Sequence, residues 1–343
     1  MNATVPAPPS APSPARVKNS EPQVNLQKFA WLSIAAALAT IGIKAGAYLV
    51  TGSVSLLSDA MESMVNLVAA IVALFALRAA ARPADSRYTF GRSKAEYFSA
   101  AIEGAMIFGA AALIIFAAVQ RLITPAPVEN LGIGILISSA ASALNGVVGF
   151  VLLRAGRKYK SPTLVADAKH LFTDVVTSIG VLIGVALVWI TGWERLDPIV
   201  AILVGLNIVW TGIGLVRSSM AGLMDVTLLP EDNEAVIAVL KENTSELTTF
   251  HGLQTRQSGR EAHIKVDAQV PGSWTVREGH NWGTNIEAAI QDAVPNAHVT
   301  VHVEPIEDPE SYRDIPEGFV PLGNYEGFVP IDLETGKPKT VQQ

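Results

Sequence analysis

The chain has no cysteine among its 343 residues. Disulfides, thiolate zinc sites and cysteine nucleophiles are therefore excluded. Charge is scarce too: 16% of residues are Asp, Glu, Lys or Arg, against about 25% in an average soluble domain. The formal charge of −6 leaves no basic excess of the kind nucleic-acid binders carry, so no nucleic-acid partner is expected. Histidine is limited to six residues, at 170, 251, 263, 280, 298 and 302. No HExxH pair occurs among them, which removes the usual metalloprotease signature, and the chain is not expected to be an enzyme. What is abundant is apolar: half of all residues are hydrophobic. They are concentrated in long blocks from 29 to 222, while 228 to 343 is much more densely charged. That asymmetry indicates a membrane domain followed by a soluble one.

Residues 1–25 are rich in Pro and Ala, have no apolar core, and are expected to form a disordered cytoplasmic tail. Six spans follow, expected near 29–50, 54–78, 97–121, 131–153, 163–190 and 196–222. Each has about the 20 residues needed to cross 30 Å of hydrocarbon. Their orientation comes from the basic loops. The stretch 78–94 holds Arg78, Arg82, Arg87, Arg92 and Lys94, and 154–160 holds Arg154, Arg157, Lys158 and Lys160. The alternate loops contain only Arg121 and Arg195. Both termini are therefore expected on the cytoplasmic side of the bilayer.

Beyond Leu228 the pattern shifts to short mixed elements. A helix is expected from about Glu231, capped by Asp232 or Asn233. Residues 262–270 alternate strictly, with His263, Lys265, Asp267 and Gln269 on one face. A second helix is expected over about 274–293. Residues 298–304 alternate again, with His298, Thr300, His302 and Glu304 on the polar face. The expected fold class is a membrane α-helical bundle of six transmembrane helices plus a cytoplasmic α+β domain with one sheet face covered. The expected domains are 1–25, 26–225, 226–306 and an extended or disordered tail, 307–343, in which EGFVP occurs twice.

Ionisable residues inside spans are costly and mark function by default. The second span contains Asp59, Glu62 and Asn66, and the fifth contains Asp167, His170 and Asp174. Both sets follow i, i+3, i+7 spacing, which places each along one helix face. The segments align without gaps, Ser55–Asn66 on Thr163–Asp174, matching Leu56/Leu164, Asp59/Asp167 and Ala60/Ala168. Two helices sharing one polar stripe are expected to face each other across one site. Glu62, Asn66, His170 and Asp174 would offer carboxylate, amide and imidazole ligands suited to Zn²⁺ or Fe²⁺. The other reading is that these groups satisfy one another as interhelical hydrogen bonds. Asp59 and Asp167, one turn earlier, are suited to support the ligands or line an access path. Lys44 in the first span is expected to snorkel to an interface.

Taken in order, TGSVSLLSDA (51–60), PAD (83–85) with FGRSKAE (90–96), DAKHLFTDVVTSIG (167–180), GLMD (222–225), HGLQTRQSG (251–259) and VHVEP (301–305) resemble the cation diffusion facilitators. The resemblance spans about 29–306 and is to the bacterial ferrous-iron/zinc efflux branch. It implies a homodimer in the bacterial inner membrane, with six-helix protomers and a ferredoxin-like cytoplasmic domain. It also implies export of divalent metal in exchange for protons by alternating access, with metal ions as substrate and regulator and no organic cofactor. It maps the transport site onto Glu62, Asn66, His170 and Asp174. A cytoplasmic metal site shared across the dimer maps onto His251, Asp267, His280, His302 and Glu304. Lys94 and Asp225 resemble a family charge pair near the dimer hinge. His263 and His298 are expected to be surface residues.

Two positions depart from the family pattern. The second-span pair usually reads Asp or His, then Asp; here it is Glu62 and Asn66. With His170 neutral, Glu62 and Asp174 leave a formal site charge of −2, balancing one divalent ion. In the loop after the second span, the family often has a metal site of one Asp and two His. Here the positions are Asp85, Tyr88 and Arg92. A guanidinium cannot ligate a cation, so no metal is expected there, and Arg92 or Arg87 is expected to pair with Asp85. These departures also motivate a rival from another class, a metal-responsive regulatory or scaffold protein that no longer moves ions.

Overall fold

Six helices long and apolar enough to cross a membrane precede a smaller unit of helices and strands. The computed structural model describes residues 25–51, 54–124, 132–312 and two short pieces, 331–332 and 337–338. The helices are α1 (Gln27–Thr51), α2 (Val54–Ala80), α3 (Ala95–Ile123), α4 (Gly132–Lys158), α5 (Pro162–Thr191) and α6 (Leu196–Leu223). They extend each expected span by a few residues or less. The chain divides into compact units at Met224/Asp225. The proline-rich stretch before residue 25 and most of the tail after 312 lie outside the described residues.

Local sequence explains the ends of α5, the helix bearing His170. Ser161 caps its N-terminus by accepting from the Leu164 N–H, and Pro162 occupies the first turn, where a missing N–H costs nothing. Gly192 closes the other end in the left-handed conformation, φ 70°, as helix C-termini favour. Ser161 also donates to the buried Glu96 carboxylate, and Thr163 donates to the Glu96 carbonyl at 3.2 Å. These contacts tie α5 to the start of α3. Small residues bring α3 and α6 close: a Cβ on Gly212 would lie 3.1 Å from the Gly104 carbonyl, so the backbones meet as packed membrane helices do.

The outer surface of this unit is apolar. Phe75, Phe116, Phe150, Leu203, Trp189 and Trp210 are all exposed, which suits contact with lipid. The buried side chains include several polar ones, among them Asn66, Glu103, Asn145, Asp167 and His170. That is an inside-polar arrangement, the reverse of a soluble protein.

The second unit contains α7 (Pro230–Glu242), β1 (Thr249–Ser258), β2 (Glu261–Val270), α8 (Val276–Ala293) and β3 (Ala297–Pro305). The sheet order is β1-β2-β3, with β1 antiparallel and β3 parallel to β2. A parallel neighbour requires a crossover, and α8 supplies it. Val236, Leu240, Ile264, Val266, Ile286 and Ile290 form the core between the helices and one sheet face. Phe250 and Trp282 stack beside it at 5.4 Å. A capping box of Thr275 and Glu278 starts α8, and the Thr275 N–H and hydroxyl hold the Glu278 carboxyl below the usual range.

The expected cap of α7 is corrected. Leu229 occupies that position without a side-chain cap, and Pro230 opens the helix. Asn233 instead turns back to the Thr227 hydroxyl and Leu228 carbonyl, tying the helix to the strand-like approach before it. Past β3, Pro309–Tyr312 forms a short 3-10 turn, and Ile331–Asp332 pairs with Lys337–Pro338.

Candidate metal sites

The first cluster lies inside the helical unit. Asn66 of α2 and His170 of α5 are both about 95% buried. His170 Nε2 is 2.7 Å from Asn66 Oδ1, and Asn66 Nδ2 donates to Asp174 Oδ2. The amide has one donor end and one acceptor end. Because Asp174 takes the donor end, His170 must carry its hydrogen on Nε2. The Nδ1 lone pair is then left in a buried position with no hydrogen-bond partner. The polar stripes of α2 and α5 are thus brought together at Asn66, His170 and Asp174. Asp59 and Glu62 belong to α2, but their side chains lie outside the described residues.

Two contributions to this cluster were missed in the sequence. Asn145 of α4 is buried and donates to the same Asp174 oxygen at 3.0 Å, so neither amide uses the carboxylate's other oxygen. One turn on, Ser142 and Ser178 share a 2.5 Å hydrogen bond between α4 and α5. A lone Asn in an apolar helix was the available signal, and only packing shows which way it faces. Lys44 of α1 is half-buried, and its charge reaches Asp174 across the α1–α5 contact. Asp167, one turn before His170, is 1% exposed and accepts from Ser33 of α1 at 3.0 Å.

The second cluster forms on the sheet. The register aligns His251 with Asp267 and Asp267 with His302, one row across three strands. Glu304 lies one pleat further along. His302 Nδ1 is 3.1 Å from Glu304 Oε1 and 3.6 Å from Asp267 Oδ1, and His251 Nε2 is 3.4 Å from Glu304 Oε2. Asp267, His302 and Glu304 can present one ligand atom each within 4.8 Å of one another. Such an imidazole–carboxylate set fits Zn²⁺ or Fe²⁺.

A bulge between His251 and Gln254 makes this row possible. Gly252 sits in it with φ +61°, and a Cβ there would collide with the Asp267 carboxylate. The bulge reverses the alternation of β1: His251 points to the polar face, while Leu253 enters the core. Lys265 is also present, 3.3 Å from Asp267. His280 is not brought into the cluster. It is exposed on α8, the helix that covers the opposite face through Val301 and Val303. His263 and His298 stack with ring centroids 5.0 Å apart, two rows away on the polar face.

In the loop after α2, Arg92 Nη2 reaches Asp85 Oδ2 at 2.5 Å, and the Arg87 and Tyr88 N–H groups donate to Asp85 Oδ1 at 3.0 and 2.9 Å. The Arg92 guanidinium lies 4.2 Å from the Tyr88 ring centroid. The Arg92 hydrogen bond, then these N–H groups, hold the Asp85 carboxyl below its usual range. Lys94 donates to the Leu223 carbonyl at 3.3 Å, and Asp225 pairs with Arg256 at 2.9 Å.

Residues 30–224 match the family model of the cation efflux transmembrane domain, and residues 228–306 match that of the cation efflux protein cytoplasmic domain. The chain belongs to the cation efflux family. It is 50% identical to the uncharacterized transporter sll1263 of Synechocystis over 293 residues, 85% of this chain and 94% of that one. The cation-efflux pump FieF of Shewanella oneidensis is 30% identical over 275 residues, 80% of this chain and 92% of that one. FieF of Citrobacter koseri is 29% identical over 263 residues, 77% and 87% of the two chains. The family assigns the six-helix unit to the membrane and the sheet-bearing unit to its cytoplasmic domain, which makes this cation efflux protein a multi-pass transporter.

Proposed function

We propose that this family member exports a divalent transition metal of the Zn²⁺ or Fe²⁺ type from the cytoplasm in exchange for protons. The observation that carries the reading is the buried Asn66–His170–Asp174 chain between α2 and α5. Its donors are one carboxylate, one amide oxygen and one imidazole, and Glu62 on the same face of α2 would add a second carboxylate. Metal entering the cluster would break the Asn66 amide's hydrogen bonds and turn its oxygen, the Asp174 carboxylate and a His170 lone pair toward the ion. Imidazole is the side chain suited to exchange a proton for metal near neutral pH. Access from alternate sides would come from rigid helices moving about this fixed site.

The basic loops at 78–94 and 154–160 support an inner-membrane orientation with both termini cytoplasmic. The match to a dimer-forming cytoplasmic domain supports a homodimer. In this reading, His251, Asp267, His302 and Glu304 hold a regulatory ion, to which His280 of a second copy would contribute, and Lys94 and Asp225 act near the hinge. No metal binds at Asp85, Tyr88 and Arg92.

Proteoliposome flux of Zn²⁺, Fe²⁺, Co²⁺, Cd²⁺ and Mn²⁺ under a pH gradient tests the proposal. Flux of at least one ion, lost in Asp174→Ala, is the expected result. No flux for any of them, in a dimer that still binds metal in its cytoplasmic domain, would favour the regulatory or scaffold reading instead.

A further inference from the structure

A second pair of intramembrane acids lies outside the metal cluster. Glu103 of α3 is fully buried, and Asp167 of α5 is 1% exposed. The helices meet there through Ala100, Ile107 and Ala166, one apolar cluster that flanks both carboxyls. Each acid has one oxygen engaged by a hydroxyl: Ser99 donates to Glu103 Oε1 at 3.2 Å, and Ser33 donates to Asp167 Oδ1 at 3.0 Å. The remaining oxygens, Glu103 Oε2 and Asp167 Oδ2, are buried without any hydrogen-bond partner. Among the described residues, the charge that acts on Glu103 is that of Asp167.

Two ionised carboxylates cannot share a dry pocket without a cation or a proton. Among the described residues, the surrounding elements supply no cation to the pair. The face of α6 packed on α3 contributes Gly205, Ile208, Gly212, Leu215 and Ser219. On α3, Glu96 is a further buried acid that accepts from Ser161, and Lys94 is directed to the Leu223 carbonyl. On α5, Lys169 is half-buried, and His170 and Asp174 belong to the metal cluster. On α1, Lys44 acts on Asp174. On α2, the Asp59 and Glu62 side chains lie outside the described residues.

We propose that Glu103 and Asp167 form a proton-binding site, one of the two buried carboxyls being protonated, distinct from the metal cluster and about one helical turn from it. Asp167 precedes His170 by three residues, about 4.5 Å along the helix axis. A proton held here is close enough to respond to metal in the cluster without occupying a metal ligand. Its role as a counter-ion rests on the antiport reading above, whereas its presence does not.

Infrared spectra of the purified full-length protein test the proton directly. The expected result is a protonated-carboxyl carbonyl stretch that shifts in D₂O and is lost in both Glu103→Gln and Asp167→Asn. Its absence from the wild type, or its persistence in both variants, would overturn the proposal. Proteoliposomes test the coupling. One proton fewer per cycle lowers the steady-state metal gradient supported by a one-unit pH gradient about tenfold. Glu103→Gln should show that loss with metal affinity unchanged, and Glu103→Asp, which keeps a titratable oxygen, should restore the gradient. A wild-type gradient in Glu103→Gln would overturn the coupling. A wild type indifferent to pH, with the infrared band present, would instead sink antiport and leave the proton site standing.

Discussion

Asn66 and Asp174 are joined across the α2–α5 interface by a hydrogen bond from the amide to the carboxylate. The same amide's oxygen meets His170 Nε2 at 2.7 Å. One neutral side chain therefore links the two ionisable groups of the cluster, where a second carboxylate would repel Asp174.

That link predicts the behaviour of Asn66→Asp. The substitution removes the donor to Asp174 and adds a like charge beside it, so the empty site should take up an additional proton. Metal should then bind about tenfold or more tightly, since a second carboxylate adds a charge-assisted contact of ~1.5 kcal/mol or more, and should release more protons as it binds. Titration calorimetry in buffers of different ionisation enthalpy measures both quantities. Unchanged proton release would show that Asn66 is not at the ion.

Lys44 and Asn145 act on the same carboxylate from other helices. Lys44→Met removes an ammonium that competes with metal for Asp174, so affinity should rise. Asn145→Ala removes a donor that orients the carboxylate, so flux should fall about tenfold, the equivalent of a hydrogen bond to a charged group. Opposite signs in the two variants, read from flux against metal concentration, are the expected pattern.

Within the cytoplasmic domain, Lys265 stands 3.3 Å from Asp267 while three potential metal ligands converge on that carboxylate's surroundings. Lys265→Met should strengthen metal binding there, and Glu304→Gln should weaken it. Equilibrium dialysis of the full-length protein carrying Asp174→Ala, which silences the membrane site, isolates the effect. Gly252→Ala should also weaken binding, because its left-handed backbone and the Asp267 carboxylate leave no room for a Cβ.

At the loop, Asp85 is held by Arg92 and by two backbone N–H groups. Its carboxyl is held below the usual aspartate range in the folded chain, by the Arg92 hydrogen bond first, so any stability it contributes is present above the unfolded value. That contribution is lost only as pH falls through the lowered folded value. Carboxyl carbon NMR should place the Asp85 transition below that of an ordinary aspartate, and Arg92→Ala should move it back up. Joint replacement of Tyr88 and Arg92 by histidine should add one bound Zn²⁺ per chain, read by metal analysis against the wild type.

Much of this protein was legible in one dimension. Unbroken apolar blocks revealed the spans, because hydrocarbon demands length and self-satisfied backbone. The i, i+3, i+7 stripe brought Asn66, His170 and Asp174 forward, because helical period alone puts them on one face. Period-2 counting placed Asp267, His302 and Glu304 on one side of the sheet. It did not place His251, since the Gly252 bulge reverses the alternation and only the strand register reveals a bulge. His280 was assigned by resemblance, yet within one chain it sits on the helix covering the other face. The cap of α7 was misplaced because the helix begins earlier, at Pro230, and the Asn233 oxygen that could cap it accepts instead from the Thr255 hydroxyl of β1.

The sequence by itself determined the absence of thiolate chemistry, the six apolar helices, the charged C-terminal domain and the pairing of two polar stripes. These follow from composition and from the periods of helix and strand. Only the tertiary structure decided that Asn145 joins Asp174, that Glu103 and Asp167 are both buried beside one apolar cluster of α3 and α5, and that His251 shares a row with Asp267 and His302. Each of those relations joins separate elements, and their meeting depends on how helices pack and how strands register rather than on any spacing along the chain.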